Sequence, residues 1–322
     1  MKFSPFNFQA PLAAGGVTLM AFNWLEFAVP HGKAAVKLSD IHWAGLPPVQ
    51  TGLCALLVAI LAVFTIVNLL LTVVFLKDLA VWLARGRGHA EFMSGPPSRI
   101  TGIFVPIASL AMTMAVVMAC APFFMPAVFA NVQALMVPGL VLFATLLLTA
   151  LSLEVGLLKR LLKEPPRLSG LNFVWLLDVF AFGLVSLAGT GLAAMANSRG
   201  IASAAATAAA VGIVVGSLLL VGKLSVLASV QKQSRALPEY QLQPAFFLLV
   251  PITCLYGVSY YRITLYLHKW FELNVKLPQY LLMTSSYVVA VGWAVFTVYL
   301  LADYFRNYFT RSEYFPTQWA MV

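Results

Sequence analysis

The chain of 322 residues is 61% hydrophobic and 10% charged, and its mean hydropathy is +0.90. A soluble domain carries about 25% charged residues, so this composition excludes an ordinary soluble protein. The net charge of +9 lies mostly between apolar segments, which indicates contact with a membrane surface and not with nucleic acid.

Three long runs contain no charged residue, and they cover residues 48–75, 100–152 and 278–302. A helix needs about 20 apolar residues to cross a bilayer, so each run is long enough and the second is long enough for two crossings. The pattern predicts an all-α polytopic membrane protein with one transmembrane domain over residues 1–322. The eight predicted spans cover about 11–29, 50–76, 102–125, 131–157, 172–197, 204–230, 243–266 and 278–303. The first is expected to be retained, because the residues around it do not form a signal peptide.

The loops between these spans alternate in charge. Basic residues cluster at the N-terminus and after the even spans: Lys2, Lys77, Arg85, Arg87, Arg99, Lys159, Arg160, Lys163, Arg167, Lys232, Arg235, Arg306 and Arg311. Fewer lie on the opposite side: Lys33, Lys37, Arg199, Arg262, Lys269 and Lys276. The positive-inside rule then places the N-terminus in the cytoplasm, which predicts a multi-pass protein of the cell (inner) membrane.

The odd-numbered spans share a pattern of proline, glycine and small hydroxyl residues near their starts. Pro11, Pro106 and Pro251 begin the pattern in spans one, three and seven, and Asp178 takes the proline position in span five. Pro316 begins what resembles a fifth copy. The repeat predicts helix hairpins over about 8–76, 102–157, 172–230 and 243–305, with a partial fifth from 314.

These residue types predict an inner position for the odd spans. Proline removes a helix hydrogen bond, and a carbonyl freed in this way needs a partner from protein or from a water-filled cavity. The even spans carry few polar groups and are predicted to form an outer layer. The alternative is that the same residues serve helix packing alone. The candidate pore-lining or hinge residues are Pro11, Gly15, Gly16, Thr18, Pro106, Ser109, Thr113, Asp178, Gly183, Ser186, Pro251, Thr253, Gly257 and Ser259.

Four stretches resemble the tellurite-resistance/dicarboxylate transporter family, which includes plant slow-type anion channels and fungal sulfite exporters. They are residues 8–16 (FQAPLAAGG), 94–106 (SGPPSRITGIFVP), 237–251 (LPEYQLQPAFFLLVP) and 315–320 (FPTQWA), and the resemblance covers the whole chain in order. The resemblance implies a quasi-fivefold ring of five hairpins, with ten spans around a central pore. It also implies a homotrimer with one pore in each subunit, and the passage of chloride, nitrate, sulfite or C4-dicarboxylates.

The chain departs from the family pattern near its end. A phenylalanine in the ninth span plugs the pore of several family members, and the corresponding position would follow Val322. Either the protein continues beyond Val322 or its ring closes in another way. Asp178 is a second departure, because the family has proline or a small residue there.

Charged residues within spans need a physical reason, because each costs about 2.5–3.5 kcal/mol at the centre of a bilayer. Asp178 is either a gating or proton-linked carboxylate or a structural partner of a basic residue or helix end. Lys223 either attracts anions or extends to the interface, and Arg262 is either a vestibule charge or an interface anchor. Glu154 is interpreted as interfacial.

No enzyme, metal or cofactor is predicted, because the four histidines His31, His42, His89 and His268 lack metal-ligand spacing. The leading hypothesis is an anion channel or facilitator whose partners are the lipid bilayer and small anions. A membrane anchor subunit of a redox complex that binds quinone is the alternative. A proton-coupled dicarboxylate or sulfite exporter of the same fold is a third possibility.

Overall fold

The computed structural model describes residues 3–32, 35–163, 171–234, 236–311, 313 and 315–321. Within these ranges the chain is helical and forms no β-strand, so the predicted all-α class is confirmed. Lys2, Lys33, Arg167 and Arg235 from the loop-charge pattern lie outside the described residues, as does the start of the predicted fifth copy at Tyr314.

Eight long helices follow one another in the part of the chain that the structure describes. They are α1 (Gln9–Ala28), α2 (Pro48–Arg85), α3 (Val105–Phe124), α4 (Met136–Lys163), α5 (Leu177–Met195), α6 (Arg199–Ser234), α7 (Leu249–Phe271) and α8 (Lys276–Leu300). Of the described residues, seven helical segments are long and apolar enough to cross a membrane, and they contain α2 to α8. The first predicted span is not among them, because Gln9, Asn23 and Glu26 lower the hydropathy of α1.

The odd helices form an inner series and the even helices an outer layer. Each inner helix packs against the next, in the order α1, α3, α5 and α7. Outer helices α2, α4 and α6 each contact both the preceding and the following inner helix, and α8 contacts α7. Between 50% and 89% of the inner spans α3, α5 and α7 is buried, compared with 11% to 33% of the outer spans. The predicted division into inner and outer helices therefore agrees with the packing.

A short 3-10 segment precedes each inner helix. The four segments are Pro5–Phe8, Thr101–Phe104, Phe173–Leu176 and Tyr240–Leu248. A further 3-10 segment, Pro316–Met321, contacts both α1 and the segment Tyr240–Leu248. It therefore lies between the first and last helices of the inner series.

Candidate functional site

A cavity of about 510 Å³, here called the central cavity, lies between the inner helices. Two stripes of apolar side chains form much of its wall. The α5 stripe consists of Leu177, Phe180, Leu184 and Leu187, and the α7 stripe consists of Pro251, Leu255 and Val258. Spacings of three and four residues place the members of each stripe on one helix face.

Polar side chains surround one end of the central cavity, the end at which the inner helices have their N-termini. These residues are Gln9, Ser98, Arg99, Asn172, Gln241 and Thr317, and each lies at or just before the start of an inner helix or in the segment Pro316–Met321. The inner helices all begin at this end, so their partial positive charges converge there. We call this end the polar mouth.

The charges around the central cavity are positive. The described lining residues include Arg99 and contain no carboxylate. Arg262 lies one helical turn beyond Val258, and its Nη1 donates a hydrogen bond of 3.1 Å to the carbonyl of Leu187. Neither arginine forms an ion pair with another described residue. A cationic group thus lies at the polar mouth and another next to the opposite end of the cavity.

The hydroxyl residues predicted to line a pore pack between helices. Thr18, Ser109, Ser186 and Ser259 are fully buried, and none of them lines the central cavity. Thr113 donates to the carbonyl of Ser109 at 2.9 Å. Thr253 donates to the carbonyl of Val250 at 2.8 Å. Small side chains allow close approach of two helices, and this packing accounts for their position.

Of the predicted prolines and glycines, Gly16 and Pro251 line the central cavity. The carbonyl of Pro11 accepts a hydrogen bond of 2.7 Å from Asn68 Nδ2 on α2, and Pro106 is buried in the first turn of α3. The remaining glycines lie where a neighbouring helix comes close. Gly15 faces Met112, Gly183 faces Leu255 and Tyr256, and Gly257 faces Ser286.

Asp178 and Lys223 form a buried ion pair on the opposite face of α5 from the central cavity. Lys223 Nζ also donates to the carbonyl of Trp175 at 2.9 Å and lies 4.7 Å from the centre of the Trp175 indole ring. The side chain is only 7% exposed and paired with Asp178, a position that fits neither of the two interpretations of Lys223, extension to the interface or attraction of anions in the central cavity. Lys223 is the basic partner of Asp178, which agrees with the interpretation of Asp178 as a structural residue.

Glu154 is the site residue that the sequence interpretation missed. The sequence pattern indicates an interfacial position, yet Glu154 is 3% exposed and lies beside the same cavity as Asp178 and Lys223. These three residues line a second cavity of about 230 Å³, here called the side cavity. The signal was present in the sequence, because Phe143, Ala150, Glu154 and Leu157 lie at helical spacing on one buried face of α4.

Among the described residues, no three His, Cys, Asp or Glu side chains lie close enough together to hold a metal ion. Comparison with known proteins found no matching family model, no matching curated protein and no matching solved structure.

Proposed function

We propose that this protein is an anion channel or transporter of the tellurite-resistance/dicarboxylate transporter type, and that anions pass through the central cavity. The observation that carries the proposal is the charge of this cavity. Its described lining contains Arg99 and no carboxylate, and Arg262 follows its far end. Clefts with charge of one sign concentrate ions of the opposite sign.

The preference for anions comes from the ends of the cavity and not from its apolar wall. Apolar helix faces solvate neither cations nor anions, whereas the inner helix N-termini add positive potential at the polar mouth. Because the serine and threonine residues predicted to line the pore lie outside the central cavity, we assign selectivity to the two arginines and the helix ends. Weak sites of this kind let an ion leave as well as enter.

The architecture that goes with this function has α1 as an eighth span, since α1 packs with α2 and α3 as the other inner helices pack with their neighbours. The 3-10 segment Pro316–Met321 supports a fifth repeat that would complete the quasi-fivefold ring. We place the protein in the cell (inner) membrane with its N-terminus in the cytoplasm, on the basis of the loop charges. The homotrimer rests on the family resemblance.

The test is anion flux through the full-length protein in proteoliposomes, comparing chloride, nitrate, sulfite and malate. Arg262→Gln is expected to lower the flux several-fold, because it removes the positive charge at one end of the cavity. Arg199→Gln is the matched control, since Arg199 is an exposed arginine that lies over the ring of Phe271. Equal flux in wild type and Arg262→Gln would contradict the proposed path.

The same preparation separates the remaining hypotheses. If no anion moves and the purified protein retains a quinone, the redox anchor replaces the anion pore. If an imposed proton gradient drives anions against their own gradient, the protein is a proton-coupled exporter and not a passive channel.

A further inference from the structure

Two acidic side chains, Glu154 and Asp178, and two basic ones, Arg160 and Lys223, line the side cavity, and three of these four are buried. Asp178 is fully buried, Glu154 is 3% exposed and Lys223 is 6% exposed. With all three ionised, the group would carry one uncompensated negative charge. An unpaired charge in a buried site is costly, so a further positive charge is required there.

Neither of the two basic groups forms an ion pair with Glu154 among the described residues. On its own helix, Arg160 lines the side cavity, and its guanidinium donates to the carbonyl of Met93. On α7, the neutral hydroxyl of Tyr256 donates to the carbonyl of Val179 at 3.0 Å. Asp178 on α5 adds negative charge, and Lys223 on α6 is already paired with it.

The position of the two carboxyl groups in one small cavity identifies the missing charge. Glu154 and Asp178 are both buried and both line the side cavity. Ionised carboxylates are acceptors only, and a carboxyl group donates a hydrogen bond only when it is protonated. Two buried carboxyl groups that line one small cavity therefore hold one proton between them, because burial and a nearby like charge both disfavour ionisation of the second group.

The remaining hydrogen bonds place this proton on Glu154. Asp178 Oδ1 accepts from the backbone N–H of Val179 at 2.7 Å, and its Oδ2 accepts from Lys223. Both oxygens of Asp178 are thus engaged by donors that favour its ionised form. Glu154 Oε2 is buried and has no hydrogen-bond partner among the described residues.

We propose that Glu154 and Asp178 form a binding site for one exchangeable proton, which enters through the side cavity. The side cavity is lined by Gly95 and Pro97, from the segment that leads into α3, and by the last turns of α4. Arg160 and Lys163 lie in the last turn of α4, and this end of the molecule is called the basic side. Glu154, Asp178 and Lys223 do not line the central cavity, and α5 lies between the side cavity and the central cavity. A proton is the ligand because it neutralises the buried Glu154 carboxyl group, whose Oε2 has no hydrogen-bond partner among the described residues.

The effect on transport rests on the proposed function. Leu177 lines the central cavity and is the neighbour of Asp178 on α5. Loss of the shared proton leaves a negative charge behind this wall, and the low dielectric of the protein transmits its repulsion. Anion flux is therefore expected to fall as the pH on the basic side rises.

Infrared difference spectroscopy of the purified full-length protein tests the site directly. A pH step is expected to produce a protonated-carboxyl band that shifts in heavy water and disappears in Glu154→Gln. Glu91→Gln, a change at an exposed glutamate, should leave the band unchanged. Glu154→Asp keeps the carboxyl group and should shift the band. A band that survives in Glu154→Gln, or one that responds to sodium at constant pH, would overturn the proposal.

Anion flux measured with the pH varied on one side at a time gives the second result. Wild type should respond to the basic side alone, and Glu154→Gln should keep the high flux of the protonated state at every pH. Equal pH responses in these two proteins would refute the link between the site and transport. If wild type passes no anion at any pH, the proposed function fails, and the infrared band still decides the proton site.

Discussion

Helices α5 and α8 have almost the same mean hydropathy and opposite surroundings. The most apolar window of the segment Phe173–Met195 has a mean hydropathy of 1.8, and that of Lys276–Leu300 has 1.7. Yet 89% of the first window is buried inside the protein, compared with 11% of the second. Because lipid is as apolar as a leucine side chain, hydropathy indicates that both helices enter the membrane and does not indicate which one is central.

Side-chain size separates the two helices. Along α5, small residues such as Ala181, Gly183 and Gly189 lie where neighbouring helices approach. Along α8, large side chains such as Tyr287 and Tyr299 are exposed. Small residues at an interface let helix backbones pack closely without a hydrophobic driving force, so α5 gains its contacts with α4, α6 and α7 through van der Waals packing.

The largest expected effect comes from breaking the charged contact that α5 makes with α6. Lys223→Met leaves Asp178 and Glu154 without their cation, and removing one partner of a buried ion pair costs about 3–5 kcal/mol. The free energy of unfolding should fall by that amount at neutral pH, measured on purified protein in detergent.

The double variant Lys223→Met with Asp178→Asn is the control for that experiment. It removes both charges of the pair and should recover part of the lost stability. A single variant as stable as wild type would mean that α5 does not depend on this ion pair.

The sequence predicted where the chain crosses the membrane better than it predicted which way side chains point. The predicted span 172–197 corresponds to Phe173–Met195, because composition over about 20 residues decides insertion. The orientation of Ser186 depends on Gly212, which comes from another helix. Glu154 likewise lines its cavity together with Asp178 and Lys223, which come from two other helices. Such contacts between distant residues are absent from the local pattern of one span.

A matched pair of glycine substitutions tests the role of small residues in α5. A side chain at Gly189 would overlap the ring of Phe143, whereas a side chain at Gly292 on α8 would meet nothing within 4 Å. Gly189→Ala should therefore lower the free energy of unfolding by about 1–3 kcal/mol, the usual cost of overpacking. Thermal unfolding in detergent measures both variants.

Gly292→Ala is expected to leave stability unchanged, since the new methyl group faces lipid. Equal losses in the two variants would contradict the assignment of α5 to the interior and α8 to the lipid face. A loss confined to Gly292→Ala would reverse that assignment.

The smallest expected effect concerns the one hydroxyl through which α8 bonds to its inner neighbour among the described residues. Ser286 donates a hydrogen bond of 2.8 Å to the carbonyl of Thr253 on α7, whereas the adjacent Ser285 donates to the carbonyl of Leu282 within α8. Hydrogen bonds between membrane helices average about 0.6 kcal/mol, so Ser286→Ala should reduce stability by about that amount. Ser285→Ala should show no loss, because its bond joins no second helix. If both substitutions cost the same, the Ser286 bond does not contribute to the attachment of α8, which then depends on packing and on the bond of 2.8 Å from Trp293 Nε1 to the carbonyl of Phe246.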